Sequence, residues 1–204
     1  GALLHNRTQV DKISKQGDLF LVSAGARQWQ APRVVIAAGH ATQALSDMVG
    51  MFVPVRPNKG QVFITERVQP FLPHPTNYIR QTDEGTVQIG DSMEEAGYDD
   101  MVRVPVSAKI AARAVKCFPA LANARIVRTW AALRVMSPDG FPMYQESATH
   151  PGAYAVTCHS GVTLAAQHAF TIAPWVAGGE RPSAIDAFPA TRFTPETEVK
   201  PYGY

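Results

Sequence analysis

Hydrophobic and polar positions change rhythm along this chain, and each rhythm implies a different element. Residues 8–13 and 18–24 alternate, with Phe20 and Val22 set against Leu21 and Ser23, and Gly17 and Gly25 mark the turns. A period of two predicts half-buried strands in both stretches. Residues 33–38 do not alternate. Val34-Val35-Ile36-Ala37-Ala38 is apolar on both faces, the habit of a strand buried in a parallel sheet. That run ends at Gly39, a residue that lets backbone approach a ligand closely. A short helix is expected over 42–49.

The middle of the chain reads as strands at 61–66, 77–81, 86–90 and 125–133, interrupted by one helix. Ser107 is its expected N-cap, Ile110, Ala114 and Cys117 recur at helical spacing, and Pro119 stops it. This predicts a mostly antiparallel sheet with a helix covering one face. Residues 153–158 then form a short apolar strand, and His159-Ser160-Gly161 a tight turn. A helix is expected over 164–176, with Leu164, His168, Ile172 and Trp175 or Val176 on one side and Gly178-Gly179 at its end. A strand, a glycine turn and a helix N-terminus in succession aim backbone N–H groups and the positive helix end at whatever sits above the turn. From Glu180 onward the chain is polar and is expected to run over the surface. The simplest organisation is an α+β protein in which 1–50 and 151–190 make one layered unit, 51–150 is a second unit inserted into it, and 191–204 is a tail.

Composition narrows the function. The 204 residues are 46% hydrophobic and 18% charged, which suits a folded domain with its own core. A formal charge of +2 without a Lys/Arg block speaks against nucleic acid as a partner. No stretch approaches a membrane span, and the opening residues are not expected to be a signal peptide. Two cysteines make no disulfide framework and fit a reducing compartment, so a cytoplasmic location is expected. The histidines are scattered, with no His-x-x-x-His or Cys-x-x-Cys pair, so no metal site is expected. Gly-x-x-x-x-Gly-Lys-Ser/Thr, Gly-x-Ser-x-Gly and Gly-x-Gly-x-x-Gly are all missing.

Four stretches, in order, resemble the D-amino-acid oxidase superfamily of FAD-dependent enzymes, the group containing glycine oxidase, sarcosine oxidase and D-amino-acid dehydrogenases. Val34-Val35-Ile36-Ala37-Ala38-Gly39 is similar to the family's strand ending in Ala-Gly beside the flavin. Arg56-Pro57-Asn58-Lys59-Gly60-Gln61 is similar to its Arg-x-x-x-Gly-Gln entry into the substrate domain. Trp130-Ala131-Ala132-Leu133-Arg134 and Pro138-Asp139-Gly140-Phe141-Pro142 resemble Trp-Ala-Gly-Leu-Arg-Pro and Asp-Gly-x-Pro. Cys158-His159-Ser160-Gly161-Val162-Thr163-Leu164 resembles Gly-His-Ser-Gly before a helix, in wording similar to opine oxidase and hydroxyproline dehydrogenase subunits. Arg192-Phe193 matches the family's closing Arg-Phe. The chain departs from the pattern in lacking the Rossmann fingerprint, in Cys158 where glycine is usual, and in Val135-Met136 where proline is usual.

The resemblance implies the C-terminal part of an FAD enzyme that oxidises the C–N bond of a small carboxylate-bearing amine. In fold terms it implies the remnant of a Rossmann-like FAD domain flanking the antiparallel substrate domain. It assigns flavin contact to Ala38, Gly39, His159, Ser160, Gly161, Val162 and Thr163. Arg134 becomes the substrate's carboxylate anchor, a role suited to the planar, permanently charged guanidinium, although a structural salt bridge is the alternative. Tyr78 becomes a substrate-contacting tyrosine, with a half-buried sheet aromatic as the alternative; apart from the resemblance, Arg80, two residues on, would share its face and is a second candidate carboxylate ligand. Trp130 and Trp175 are read as core or interdomain packing. Cys158 and His159, being adjacent on a strand, point to opposite faces and make no dyad. Two other readings stand beside catalysis by this chain: a non-catalytic fragment that does not retain FAD, and a subunit whose flavin site is completed by a partner chain.

Overall fold

In the computed structural model, which describes residues 1–198, the alternating N-terminal stretch folds as an antiparallel meander of β1 (Lys12–Gln16), β2 (Leu19–Ala24) and β3 (Arg27–Ala31). Lys12 pairs with Ser23 and Gln16 with Leu19 across the turn, where Gly17 takes a left-handed φ of +60°. Phe20 is fully buried. The first strand starts four residues later than the alternation suggests, at Lys12. β3 carries no hydrophobic pattern beyond half-buried Trp29 and exists because β2 supplies its hydrogen bonds, with Phe20 opposite Ala31.

Two compact units emerge: Gly1–Arg56 with the described residues from Val135 on, and Pro57–Arg134. The inserted segment is therefore shorter than 51–150. Residues 135–150 belong with the chain ends because β9 (Met143–Glu146) pairs antiparallel with β10 (Ala153–Thr157), Thr157 facing Met143. β10 also pairs in parallel with β4 (Val34–Ile36), Val34 opposite Ala153 and Ile36 opposite Ala155, which gives the order β4-β10-β9. Central β10 is the buried strand. At the sheet edge Val35 is 44% exposed, so the expected burial of both faces of β4 does not hold.

The first unit has two apolar clusters. One joins Phe20, Ile36, Val49, Val53, Met143, Ala155 and Phe193. The other joins Tyr144, Tyr154, Ile172, Trp175 and Ile185, with the Tyr154 and Trp175 rings edge-on at 5.0 Å. Burial of Ile185, Ala190 and Phe193 corrects the expectation of a surface tail after Glu180; these sparse apolar residues are too widely spaced to show a period. Residues 199–204 of that predicted tail lie outside the described residues. Helix α1 spans Thr42–Asp47, and helix α3 runs over 165–176, π-wound at His168–Ile172.

The second unit is a four-stranded sheet, β6-β7-β5-β8, with β5 at Arg56–Arg67, β6 at Ile79–Gln81, β7 at Thr86–Ile89 and β8 at Ile126–Met136. Phe63, Ile79, Val87 and Ile89 pack on Ile110 and Ala114 of α2 (Val104–Cys117). This is the antiparallel sheet with one covering helix, so the protein is of the α+β class. The helix starts a turn earlier than Ser107, with Arg103 as the extended N-cap and Pro105 in the first turn, where its missing N–H costs nothing. Trp130 is 36% exposed on edge strand β8, with the Arg128 guanidinium 5.5 Å from its ring centroid, so it is not core. Among the described residues no helix is long and apolar enough to cross a membrane.

Candidate functional site

Parallel strands end on the same side. The pairing of β4 with β10 therefore sets Ala38-Gly39, which follow the first, beside Cys158-His159-Ser160-Gly161, which follow the second. Gly39 has φ +58°, and a side chain there would sit 3.6 Å from Val135 Cγ2. The Gly161 position meets nothing nearer than Cys158 Sγ at 3.9 Å. Ala38 and His159 through Thr163 are exposed, Val162 by 94%. The corner winds straight into α3, since Leu164 N donates to Ser160 O at 2.9 Å and His168 N to Leu164 O at 2.9 Å. The result is an open wall of glycine, alanine and exposed corner backbone, capped by a helix start.

Behind this wall, the Tyr144 hydroxyl and His168 Nε2 are 2.9 Å apart, and Cys158 Sγ lies 4.0 Å from the same nitrogen. Burial, helped by Cys158, pushes the Tyr144 phenol up to about 12, and burial also raises the Cys158 thiol. A raised thiol is a poor nucleophile at neutral pH. No local pattern signals this contact: Cys158 and His168 are ten positions apart and meet only because α3 folds back beside β10. A cleft of about 610 Å³ opens next to it, bordered by Phe141, Tyr144, His159, Ser160, Thr163 and Phe188.

The other candidate residues lie in the second unit, and β5 sorts them. Its side chains alternate between faces. Odd positions face α2: Phe63 is in the α2 core, Gln61 Oε1 accepts from Arg103 N at 3.0 Å and Ser107 Oγ at 3.2 Å, and Lys59 Nζ is 3.3 Å from Asp99 Oδ2. Even positions face Arg134. Arg134 Nη1 donates to Asn58 Oδ1 at 3.1 Å and Ser92 O at 3.0 Å, and Nη2 pairs with Asp91 Oδ2 at 2.5 Å. Gly60 makes room, since a methyl there would fall 2.5 Å from the guanidinium carbon. The predicted anchor is thus already in contact with a protein carboxylate, a partner that sequence reasoning missed because Asp91 is 43 residues away.

Tyr78 is not brought to Arg134. It packs with the α2 cluster, and the Arg113 guanidinium lies 4.1 Å from its ring centroid. The tyrosine is half-buried in the bend just before β6. Its ring borders an apolar cavity of about 500 Å³ with Ile79, Ile89, Arg113, Ala114 and Phe118. Arg80 is exposed on β6. No group of three or more His, Cys, Asp or Glu among the described residues could hold a metal ion.

Comparison with known proteins follows the same outline. A profile of the DAO family, described as FAD dependent oxidoreductase, matches residues 1–175. An opine oxidase subunit of Rhizobium meliloti is 39% identical over 193 residues, 95% of this chain and 52% of the relative. Glycine oxidase of Pseudomonas putida is 30% identical over 159 residues, 75% of this chain and 44% of the relative. The crystal structure of glycine oxidase from Geobacillus kaustophilus superposes with a TM-score of 0.86 at 23% identity, over 95% of this chain and 54% of that one, a likeness of fold. The chain spans about half the length of the curated relatives it matches.

Proposed function

Because the chain belongs to the DAO family of FAD-dependent oxidoreductases, we propose that it forms the substrate-binding part and one flavin wall of an enzyme that oxidises the C–N bond of a small amino acid or secondary amine. The observation that carries this reading is the parallel pairing of β4 with β10, which sets Gly39 beside the His159–Thr163 corner. FAD is the family's cofactor and supplies a ring that accepts hydride. The residues present fit that ring: a flat heterocycle needs small side chains and exposed backbone, and Ala38, Gly39 and Gly161 leave both. Ser160 through Thr163 present corner backbone at the positive end of α3, which favours negative charge on the ring's polar edge.

The strands around β4 and β10 are read as the remnant of a Rossmann-like layer. The adenine-dinucleotide part of the cofactor has no Gly-x-Gly-x-x-Gly among these 204 residues to hold its pyrophosphate. We assign that role to sequence outside this chain, on the same polypeptide or on a partner; the opine oxidase relative, itself named as a subunit, supports a partner. Arg134 is the carboxylate anchor. Its rigid fork would hold the substrate carboxylate in one orientation. Tyr78 is left out of the substrate set because its ring is stacked with Arg113 against α2.

Two measurements test the reading. Purified alone, this chain is expected to lose FAD on gel filtration; stoichiometric yellow protein overturns the divided-site reading. In the full-length protein, amines screened anaerobically are expected to bleach the flavin. There Arg134→Ala should raise KM about a hundredfold while flavin stays bound. Unchanged kinetics remove Arg134 from the site, and no bleaching by any amine favours a non-catalytic carboxylate binder.

A further inference from the structure

We infer that Asp91 is a specificity-determining residue of the Arg134 site, favouring ligands that carry a positive nitrogen beside their carboxylate over plain carboxylates. This rests on the reading of Arg134 as carboxylate anchor. Asp91 is seated on the guanidinium by a firmly held loop. Arg113 Nη2 donates to Gly90 O at 2.7 Å and Asp91 O at 2.8 Å from one side. From the other, Gln61 N donates to Ser92 Oγ at 2.9 Å, and Ser92 Oγ lies 2.5 Å from Glu94 Oε1. Asn58, the second partner of Arg134, is itself held by Glu95, with Nδ2 donating to Oε1 at 3.1 Å.

Arg134 therefore carries the Asp91 carboxylate in direct contact, and Arg113, whose guanidinium is taken up by the Gly90 and Asp91 carbonyls, leaves that carboxylate in place. Lys59 does not compete for it, because on the other face of β5 it is engaged by Glu94 at 3.5 Å and Asp99 at 3.3 Å. An incoming carboxylate must share the guanidinium with Asp91 at like-charge distance, whereas a neighbouring ammonium is attracted by the same group. Across a few ångströms at a partly buried site, such a contact is worth roughly tenfold in affinity or more. Asp91 Oδ1 is also buried and has no hydrogen-bond partner among the described residues. An acceptor in that state is the natural counterpart of a cationic N–H.

The test uses the full-length FAD-loaded protein with acetate and methylammonium as probes, binding being read from the flavin absorbance. Asp91→Asn is expected to tighten acetate and weaken methylammonium, each about tenfold, while Asp91→Glu keeps the wild-type order. A purely structural role moves both ions in the same direction and counts against the inference. If Arg134→Gln weakens acetate but Asp91→Asn moves neither ion, Asp91 is not the determinant and the anchor reading stands. If Arg134→Gln leaves acetate unchanged, the anchor reading itself fails. Should Asp91→Asn not fold, the wild type decides: glycine must bind at least about tenfold more tightly than acetate, and equal binding overturns the inference.

Discussion

On the α2 side of β5, Phe63 is 2% exposed and Gln61 ties the strand to the start of the helix. On the opposite side, Gly60 lies beneath a guanidinium clamped by Asp91 and Asn58. One stretch of backbone thus serves two purposes, divided by the strand's period of two. The first face is closed by apolar contact, by the Gln61 hydrogen bonds and by the ion pairs of Lys59 with Glu94 and Asp99, so it stabilises without needing a ligand. The second holds charges that are costly to desolvate unless paired, and a glycine leaves the room that the guanidinium fills. The difference teaches that a stabilising residue and a substrate-facing one can be immediate neighbours and still respond to different experiments.

The largest expected effect breaks the first face. Phe63→Ala should lower unfolding free energy by about 3–5 kcal/mol, measured by urea denaturation; a loss below about 1 kcal/mol contradicts its place in the core. Next, Gly60→Ala forces the Arg134 guanidinium aside. In the full-length enzyme kcat/KM is expected to fall about a hundredfold, or about 2.7 kcal/mol, with the melting temperature nearly unmoved. Equal damage to activity and melting merges the two faces into one. Gln61→Leu leaves Arg103 N and Ser107 Oγ without their acceptor and should cost about 1–2 kcal/mol of stability, while KM stays unchanged.

The smallest effect lies in the first unit and serves as a control. Burial pushes the Asp139 carboxyl up, but Arg192, the Phe141 amide and Ser137 outweigh it and hold it below the ordinary carboxylate range. A depressed folded pKa contributes stability above the unfolded pKa, and that stability is lost as pH falls through the folded one. Asp139→Asn should therefore cost at most about 1 kcal/mol at neutral pH, given partial exposure, and progressively less at acid pH. Denaturation at neutral and at acid pH checks it, and an equal loss at both excludes the ion pair as the cause. No change is expected in carboxylate binding at Arg134.

Much of this molecule follows from local pattern. Alternation around Phe20, the apolar run at Val34–Ile36, the helical spacing of Ile110, Ala114 and Cys117, and the His-Ser-Gly corner before a helix all record interactions within a few residues, so each is visible in a short window. The motifs identify the family because they preserve those local geometries in order. Elements held by distant partners were not legible: β3, which relies on β2; β9, which draws residues 135–150 into the first unit; and buried Ile185 and Phe193, which lack a period.

The site divides in the same way. Which residues border the β4 and β10 ends could be named from sequence, because glycine, alanine and a helix start are local requirements. That Arg134 meets Asp91, that Tyr78 turns to Arg113, and that Cys158 meets His168 rather than His159 were decided by tertiary structure alone. Charge pairing acts through space over a few ångströms, and only the folded sheet determines which distant carboxylate comes that close.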